Sequence, residues 1–259
     1  MFSFRTTALQ VLLLSLLLSC SASSAKLNLE SDSLPQRIAI RAARMLDVGQ
    51  GKFINYPVIL VEGERIISVA SGGNVPAGVK VIDLGDTTIL PGLIDAHTHI
   101  TYHFDENGVF GKSGDASPQV TLKYAEENAR LTVEAGFTTI RNLGAGQRVD
   151  IALRDEINSG QVEGPRMLVS GLPLTPDILR GANKAQRLEI IRQFVETRIK
   201  EGVDVIKVFE GVDSFGQPLL SSDEIRAAVD AAKHAIGTAG PGPCAGCQLS
   251  ARRLSHRGP

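Results

Sequence analysis

Tryptophan is absent from the sequence, and aromatic residues make up only 5% of it. The core is therefore expected to be aliphatic, which suits strands of a parallel sheet buried on both faces. Histidine is scarce, with five in the chain, so a site built from imidazole has few candidates. Neither charge sign dominates. The net charge is −1, with no basic or acidic block, which excludes an electrostatic footprint for nucleic acid. No apolar run is long enough to span a bilayer as a mature helix.

What is present points to a folded protein of one or two domains. The chain has 259 residues, 43% hydrophobic and 21% charged, enough to bury a real core. Residues 1–25 stand apart. Arg5 precedes an apolar run from Ala8 to Leu18, and Ser19 to Ala25 are mostly small. That order reads as a signal peptide and predicts an exported protein, periplasmic or secreted. Two cleavage readings stand. Ser23 and Ala25 suit an ordinary signal peptidase, whereas Leu17-Leu18-Ser19-Cys20 resembles a bacterial lipobox. The second would leave Cys20 lipidated, the one route to membrane attachment in this sequence.

Residues 26–87 read as a small β module. Arg37–Leu46, Tyr56–Glu62, Arg65–Ala70 and Lys80–Leu84 are rich in Ile and Val and separated by turn residues. Gly63-Glu64 is a two-residue hairpin connection. From Thr88 the period changes. Strands are expected at Ile89–Ile94, Phe137–Asn142, Arg166–Ser170 and Val203–Phe209. Helices are expected at Pro118–Ala135, Arg148–Ser159, Lys184–Glu201 and Ser221–Ala235, and Tyr102–Ser117 reads as a polar loop. Ser221 and Glu224 form a capping-box pattern. Leu188, Ile191, Phe194, Val195, Arg198 and Ile199 draw one helical face. Four βα units in succession imply a parallel sheet with outer helices. Doubly wound sheets and (β/α)8 barrels both fit that alternation, and no Gly-rich phosphate loop follows the first strand to favour the former.

Two features carry chemistry. The first is Pro91-Gly92-Leu93-Ile94-Asp95-Ala96-His97-Thr98-His99. Side chains alternate along a strand, so His97 and His99 point one way and Thr98 the other. Two adjacent imidazoles at the end of an apolar strand make half of a metal site. The second is Lys207, within the apolar run Val203–Phe209. Buried lysines are rare unless paired or functional, but a lysine near a strand end also reads as one that reaches out to solvent.

These motifs, with Gly136-Phe137-Thr138-Thr139-Ile140-Arg141, Gly164-Pro165-Arg166 and Asp204–Phe209, resemble the metal-dependent amidohydrolase superfamily, in its imidazolonepropionase-like and prolidase-like branch. The resemblance covers residues 37–236. It implies a (β/α)8 TIM-type barrel in residues 88–236, of which about the first four βα units are present, with the β module as a companion β-sandwich. It implies His97 and His99 as metal ligands and Lys207 as a carbamate bridging two divalent metals, usually zinc. Burial disfavours the charged form of an amine, and carboxylation needs the neutral one. The implied activity is hydrolysis of a C–N bond in a dipeptide, N-acyl amino acid or cyclic amide, through water activated by metal. Family members often oligomerise.

The sequence departs from the family at several points. A full barrel needs about 250 residues. The family's general-base carboxylate from the last barrel strand and two further histidines are missing, so no catalytic base is identified. His103, in the loop past the His-x-His, is a candidate to lie near substrate or a plain loop residue. His234 sits near a helix end and His256 in an irregular tail. Cys244-x-x-Cys247 has the spacing of a redox pair or half a zinc site, without a second pair. Periodicity stops after Gly237, where relatives enter a Val-x-x-His-Ala strand. Codons for Pro243-Cys244-Ala245, CCN-TGY-GCN, shift by one base to CNT-GYG, which includes His-Ala. A frameshift near codon 237 is therefore expected, leaving 237–259 out of frame and the Cys pair accidental. Sequencing the transcript tests it: no alternate frame that continues the barrel motifs means no frameshift. The chain is accordingly expected to be weakly active or inactive, with a metal-binding remnant of the fold as the alternative.

Overall fold

The computed structural model describes residues 36–104, 107–111, 116–212, 215–238 and 249–253. The expected signal peptide, Cys20, Cys244, Cys247 and His256 lie outside the described residues. No helix among those described is long and apolar enough to cross a membrane. The chain divides into two compact units between Leu90 and Pro91.

The first unit holds β1 (Arg37–Arg41), β2 (Arg44–Asp47), β3 (Lys52–Asn55), β4 (Pro57–Glu62), β5 (Arg65–Ser71), β6 (Lys80–Asp83) and β7 (Thr88–Ile89). They form a four-stranded sheet in the order β5-β4-β1-β6 and a three-stranded sheet in the order β3-β2-β7. The single strand expected over Arg37–Leu46 is two. Ala43 donates its N–H to the Gly85 carbonyl at 2.9 Å and accepts from Tyr56 N–H at 2.8 Å, so the chain leaves one sheet and enters the other there. The β4–β5 hairpin turns at Gly63, whose φ of 56° lies in the left-handed region that glycine tolerates. The unit runs past residue 87, where the sequence reading ended it, because Thr88 and Ile89 pair in parallel with Arg44 and Met45.

The second unit begins with β8 (Leu93–Thr98) and the short hairpin β9 (His103–Phe104) and β10 (Phe110–Gly111). It continues with α1 (Pro118–Glu134), β11 (Phe137–Asn142), α2 (Val149–Asn158), β12 (Arg166–Val169), a 3-10 turn (Pro176–Leu179), α3 (Lys184–Lys200), β13 (Ile206–Glu210), α4 (Ser222–Thr238) and β14 (Leu249–Arg253). Part of the stretch read as a polar loop is thus a hairpin. Helix starts follow local chemistry. Ser117 caps α1 ahead of Pro118, and Asn183 with Gln186 forms a reciprocal capping box on α3. Ser221 N–H donates to Glu224 Oε2 at 2.7 Å, and Glu224 N–H donates back to Ser221 Oγ at 3.3 Å.

β8, β11 and β12 form a parallel sheet in the order β12-β11-β8. Beyond β12, Asp204 and Val205 both donate to the Val169 carbonyl. Leu174 then bridges to β13, donating to the Lys207 carbonyl and accepting from Phe209 N–H, each at 2.8 Å. β13 pairs in parallel with β14. The tail expected to be irregular thus contributes a strand at Leu249–Arg253, which pairs the otherwise open edge of β13. Ile140, Val169, Ile206 and Val208 of the strands pack on Ala125, Ala129, Leu153, Ile191, Val195 and Ala228 of the helices. This core is almost wholly aliphatic, with Met167 in it and Phe194 packed against it, and burying each branched side chain contributes roughly 1.5–3 kcal/mol.

The buried strand expected around the His-x-His is an edge strand instead. Among the described residues β8 pairs only with β11, and Leu93 and Ile94 are 47% and 70% exposed. The Pro-Gly ahead of it has a steric reason. A Cβ on Gly92 would stand 1.9 Å from Thr138 Oγ1, so only glycine lets the chain enter β8 beside β11. Arg154 ties the far side of the sheet together, donating to Gly202 O at 2.6 Å and Asp204 Oδ2 at 3.0 Å, while that carboxylate accepts from Val169 N–H at 2.9 Å.

Candidate metal centre

β8 ends in an irregularity that sets the histidines. Ile140 pairs with Asp95 and Asn142 with Thr98, so three steps on β8 oppose two on β11. The Asp95 carboxylate fills the gap by accepting the His97 N–H at 2.9 Å. Beyond it His97, Thr98 and His99 follow in turn. The two imidazoles lie side by side, with ring centroids 5.4 Å apart and planes tilted by 53°. His99 is half-buried and stacked on Tyr102 at 4.7 Å and 12°.

Gly144, just past β11, closes the other side of His99. A Cβ there would lie 3.5 Å from its Cε1, and the glycine φ of 141° holds the backbone against the ring. Burial pushes the His99 imidazole below its ordinary value; the Gly144 carbonyl beside the ring opposes this, and the charge of Lys207 adds to it. The neutral imidazole favoured this way is the ligand form. Despite the nearby carbonyl, Nδ1 is buried without a hydrogen bond of acceptable geometry.

Lys207 is the second residue of β13, not near its C-terminal end as the sequence reading had it, because β13 starts three residues later than expected. It is 2% exposed. It therefore does not reach out to solvent. Its Nζ sits 5.5 Å from the ring centroid of Phe209, two residues on along the same face of the strand. His103 takes a different place. Its ring stacks on Tyr124 of α1 at 3.8 Å and 8°, and Gly111 opposite leaves the room, since a Cβ there would fall 2.6 Å from the ring. His234 lies in α4.

Sequence reasoning missed the buried polar clasp behind the histidines. Asn142, the last residue of β11, accepts the Ile100 N–H on Oδ1 at 2.8 Å. Its Nδ2 donates to the Gly144 carbonyl at 3.4 Å and to Asp150 Oδ2 at 3.1 Å. Asp150 also accepts from Gly171 N–H at 3.0 Å and from Ile151 N–H at 3.0 Å. Both side chains are fully buried. Burial raises the Asp150 carboxyl above its ordinary value, and the donors around it pull it back. The clasp joins the ends of three successive strands. Its signal in the sequence was an asparagine closing a strand, followed by an acid at a helix start.

A divalent cation at this position fits the donors in part. Two imidazoles converge, one with an orphaned buried nitrogen, and a buried amine lies within electrostatic reach. Among the described residues no group of three or more His, Cys, Asp and Glu side chains converges, so further ligands are needed to close the site.

Four parallel strands in succession thus carry an imidazole pair at the end of the first and a buried lysine on the fourth. Residues 88–239 match the profile of the amidohydrolase family, and the chain belongs to that family, whose members depend on metal. A solved Xaa-Pro dipeptidase with methionine in its active site aligns at 28% identity and a TM-score of 0.65, covering 77% of this chain and 54% of that one. The dihydroorotase of Mycobacterium leprae (strain TN) is 29% identical over 117 residues, 44% of this chain and 26% of the relative. The imidazolonepropionase of Pseudomonas paraeruginosa (strain DSM 24068 / PA7) is 26% identical over 159 residues, 60% of this chain and 37% of the relative. The chain thus spans about half the length of the solved relative and about a quarter of the dihydroorotase.

Proposed function

We propose that the protein is an exported metal-dependent hydrolase that cleaves the C–N bond of a dipeptide, an N-acyl amino acid or a cyclic amide, with zinc as its metal. The observation that carries this reading is Lys207, a lysine 2% exposed on β13 and within electrostatic reach of His99. Burying an amine is unfavourable and calls for a use. Carboxylation supplies one. The lysine nitrogen forms a bond to the carbon of CO2 and releases a proton, and the carbamate then offers two oxygens as ligands. His97 and His99 are the other ligands from this chain. A bound metal pair would polarise the scissile carbonyl and lower the pKa of water. The chain's own residues prepare that chemistry. Asn142 fixes the backbone after His99, Gly144 and Tyr102 hold the ring on both sides, and burial keeps its imidazole neutral. Export rests on residues 1–25, with Cys20 as a lipid anchor in the alternative form. The substrate is a small molecule.

The absence of a third His, Cys, Asp or Glu ligand among the described residues favours a second reading, a metal-binding remnant without turnover. Purified chain is loaded with zinc, its metal content measured, and a panel of dipeptides and N-acyl amino acids assayed. Bound zinc that disappears in His97→Ala, with weak turnover abolished in Lys207→Ala, supports the hydrolase. Bound zinc without turnover supports the remnant. A chain that holds no divalent metal overturns both.

A further inference from the structure

Aromatic side chains are 5% of the chain, yet Tyr102, Phe104, Phe110 and Tyr124 fall within one stretch of it. The rings of Tyr102, Phe110 and Phe104 form an unbroken series that starts at the candidate metal centre. His99 stacks on Tyr102 at 4.7 Å, Tyr102 meets the edge of Phe110 at 5.2 Å and 84°, and Phe110 meets Phe104 at 5.4 Å. Phe104 and Phe110 are paired across the β9–β10 hairpin, so their rings share one face. They are 68% and 44% exposed. The opposite face of the hairpin is committed to the scaffold, because His103 stacks on Tyr124 beneath Gly111.

We infer that this row of rings is a substrate subsite that takes the aromatic or large apolar side chain of the residue flanking the scissile bond; it rests on the reading of His97 and His99 as the reaction centre. Three observations converge on that occupant. The row is continuous with His99 rather than isolated on the surface. An amino-acid residue spans about 3.6 Å, so a side chain next to the reacting carbonyl reaches rings one or two contacts away. Exposed phenyl rings in edge and tilted arrangements favour another ring beside them.

The test compares binding of L-phenylalanine and L-alanine to the full chain by titration calorimetry, with and without zinc. Neither ligand can be hydrolysed, so the readout is independent of turnover. Phenylalanine is expected to bind about tenfold tighter, within the range for a hydrophobic contact in a specificity pocket. Phe104→Ala, whose side chain is mostly in solvent, is expected to lower that ratio at least threefold, and the Phe104→Ala/Phe110→Ala pair to bring it close to one. Equal affinities in the parent chain, no binding of either amino acid, or a ratio that survives the double variant overturns the subsite. Sedimentation that depends on concentration and becomes independent of it in the double variant, with no ratio in the parent, assigns the rings to a contact between copies and also overturns it. A ratio present in a chain that hydrolyses nothing supports the subsite while removing the hydrolase reading.

Discussion

Replacing Asn142 by alanine is expected to lower stability more than any other single polar-to-alanine change near the candidate metal centre. Three bonds are lost together. The Ile100 N–H, 2.8 Å from Asn142 Oδ1, lies where water does not reach, since Ile100 is buried. An orphaned buried donor costs about 1–3 kcal/mol. The buried Asp150 carboxylate loses its one side-chain donor among the described residues and is left with backbone N–H groups, those of Gly171 and Ile151 among them. A bond to a charged group contributes roughly 1.5–3 kcal/mol. Since the losses share partners they do not add fully, and the total is about 3–5 kcal/mol. With a urea slope of about 1–3 kcal/mol per M, the unfolding midpoint falls by about 2 M at an unchanged slope. Asn128→Ala is the matched control. Its Nδ2 donates to Ile100 O and Tyr102 O, both at 2.8 Å, but the side chain is half-buried and water can replace it, so about 1 kcal/mol is expected. Urea unfolding followed by circular dichroism measures both. An Asn142→Ala midpoint no lower than that of Asn128→Ala refutes the clasp.

Three further outcomes are expected. Gly92→Ala brings a Cβ to 1.9 Å from Thr138 Oγ1 in a β-branched residue of β11, so overpacking of about 1–3 kcal/mol should lower the thermal midpoint by several degrees; an unchanged midpoint contradicts the steric account of the Pro-Gly step. Arg187, hydrogen-bonded to Glu224, holds that carboxyl below its ordinary 4.5, against the opposing effect of burial. Its contribution is complete above pH 4.5 and is lost as pH falls through the lowered folded value; Glu224→Gln should flatten this acid limb, and superimposable stability–pH curves would count against the pair. Lys207→Met keeps the volume of the buried chain but cannot form a carbamate, so bound zinc should fall to half or less with the circular dichroism spectrum intact. Undiminished zinc removes Lys207 from the ligand set.

Much of the fold was legible because helices and strands announce themselves locally. The alternation of apolar runs with capped, glycine-stopped helices gave the order of the second unit from α1 to α4, but the first strand, expected at Ile89–Ile94, is split by Pro91-Gly92 into the end of β7 and the start of β8 at Leu93–Thr98; the apolar face of α3 is the one that packs, with Ile191 and Val195 buried. The His-x-His spacing anticipated two neighbouring rings. What stayed hidden depends on partners distant in the chain. Nothing local marks β8 as an edge strand, because exposure of Leu93 and Ile94 is decided by which strands lie beside it. Lys207 was balanced between core and solvent, and the Leu174 bridge across β13 is what encloses it. The Asn142–Asp150 clasp joins three βα units, and no window of sequence contains all its partners. Arg37–Leu46 reads as one strand because Ala42-Ala43 carries no turn residue; its break is set by Tyr56 and Gly85.

The β9–β10 hairpin is joined to the sheet differently from everything around it. Among the described residues its base is held by ring contacts, His103 on Tyr124 and Phe110 on Tyr102, and by the Asn128 bond to the Tyr102 carbonyl. The strands that carry His97 and Lys207 are held by backbone pairing to their own neighbours, β8 to β11 and β13 to Leu174 and β14. A piece attached in that way is interchangeable. Another hairpin with the same His–Gly root and a ring to meet Tyr102 could be grafted in its place, so on the two readings proposed above selection and reaction would lie on separately editable parts of the chain.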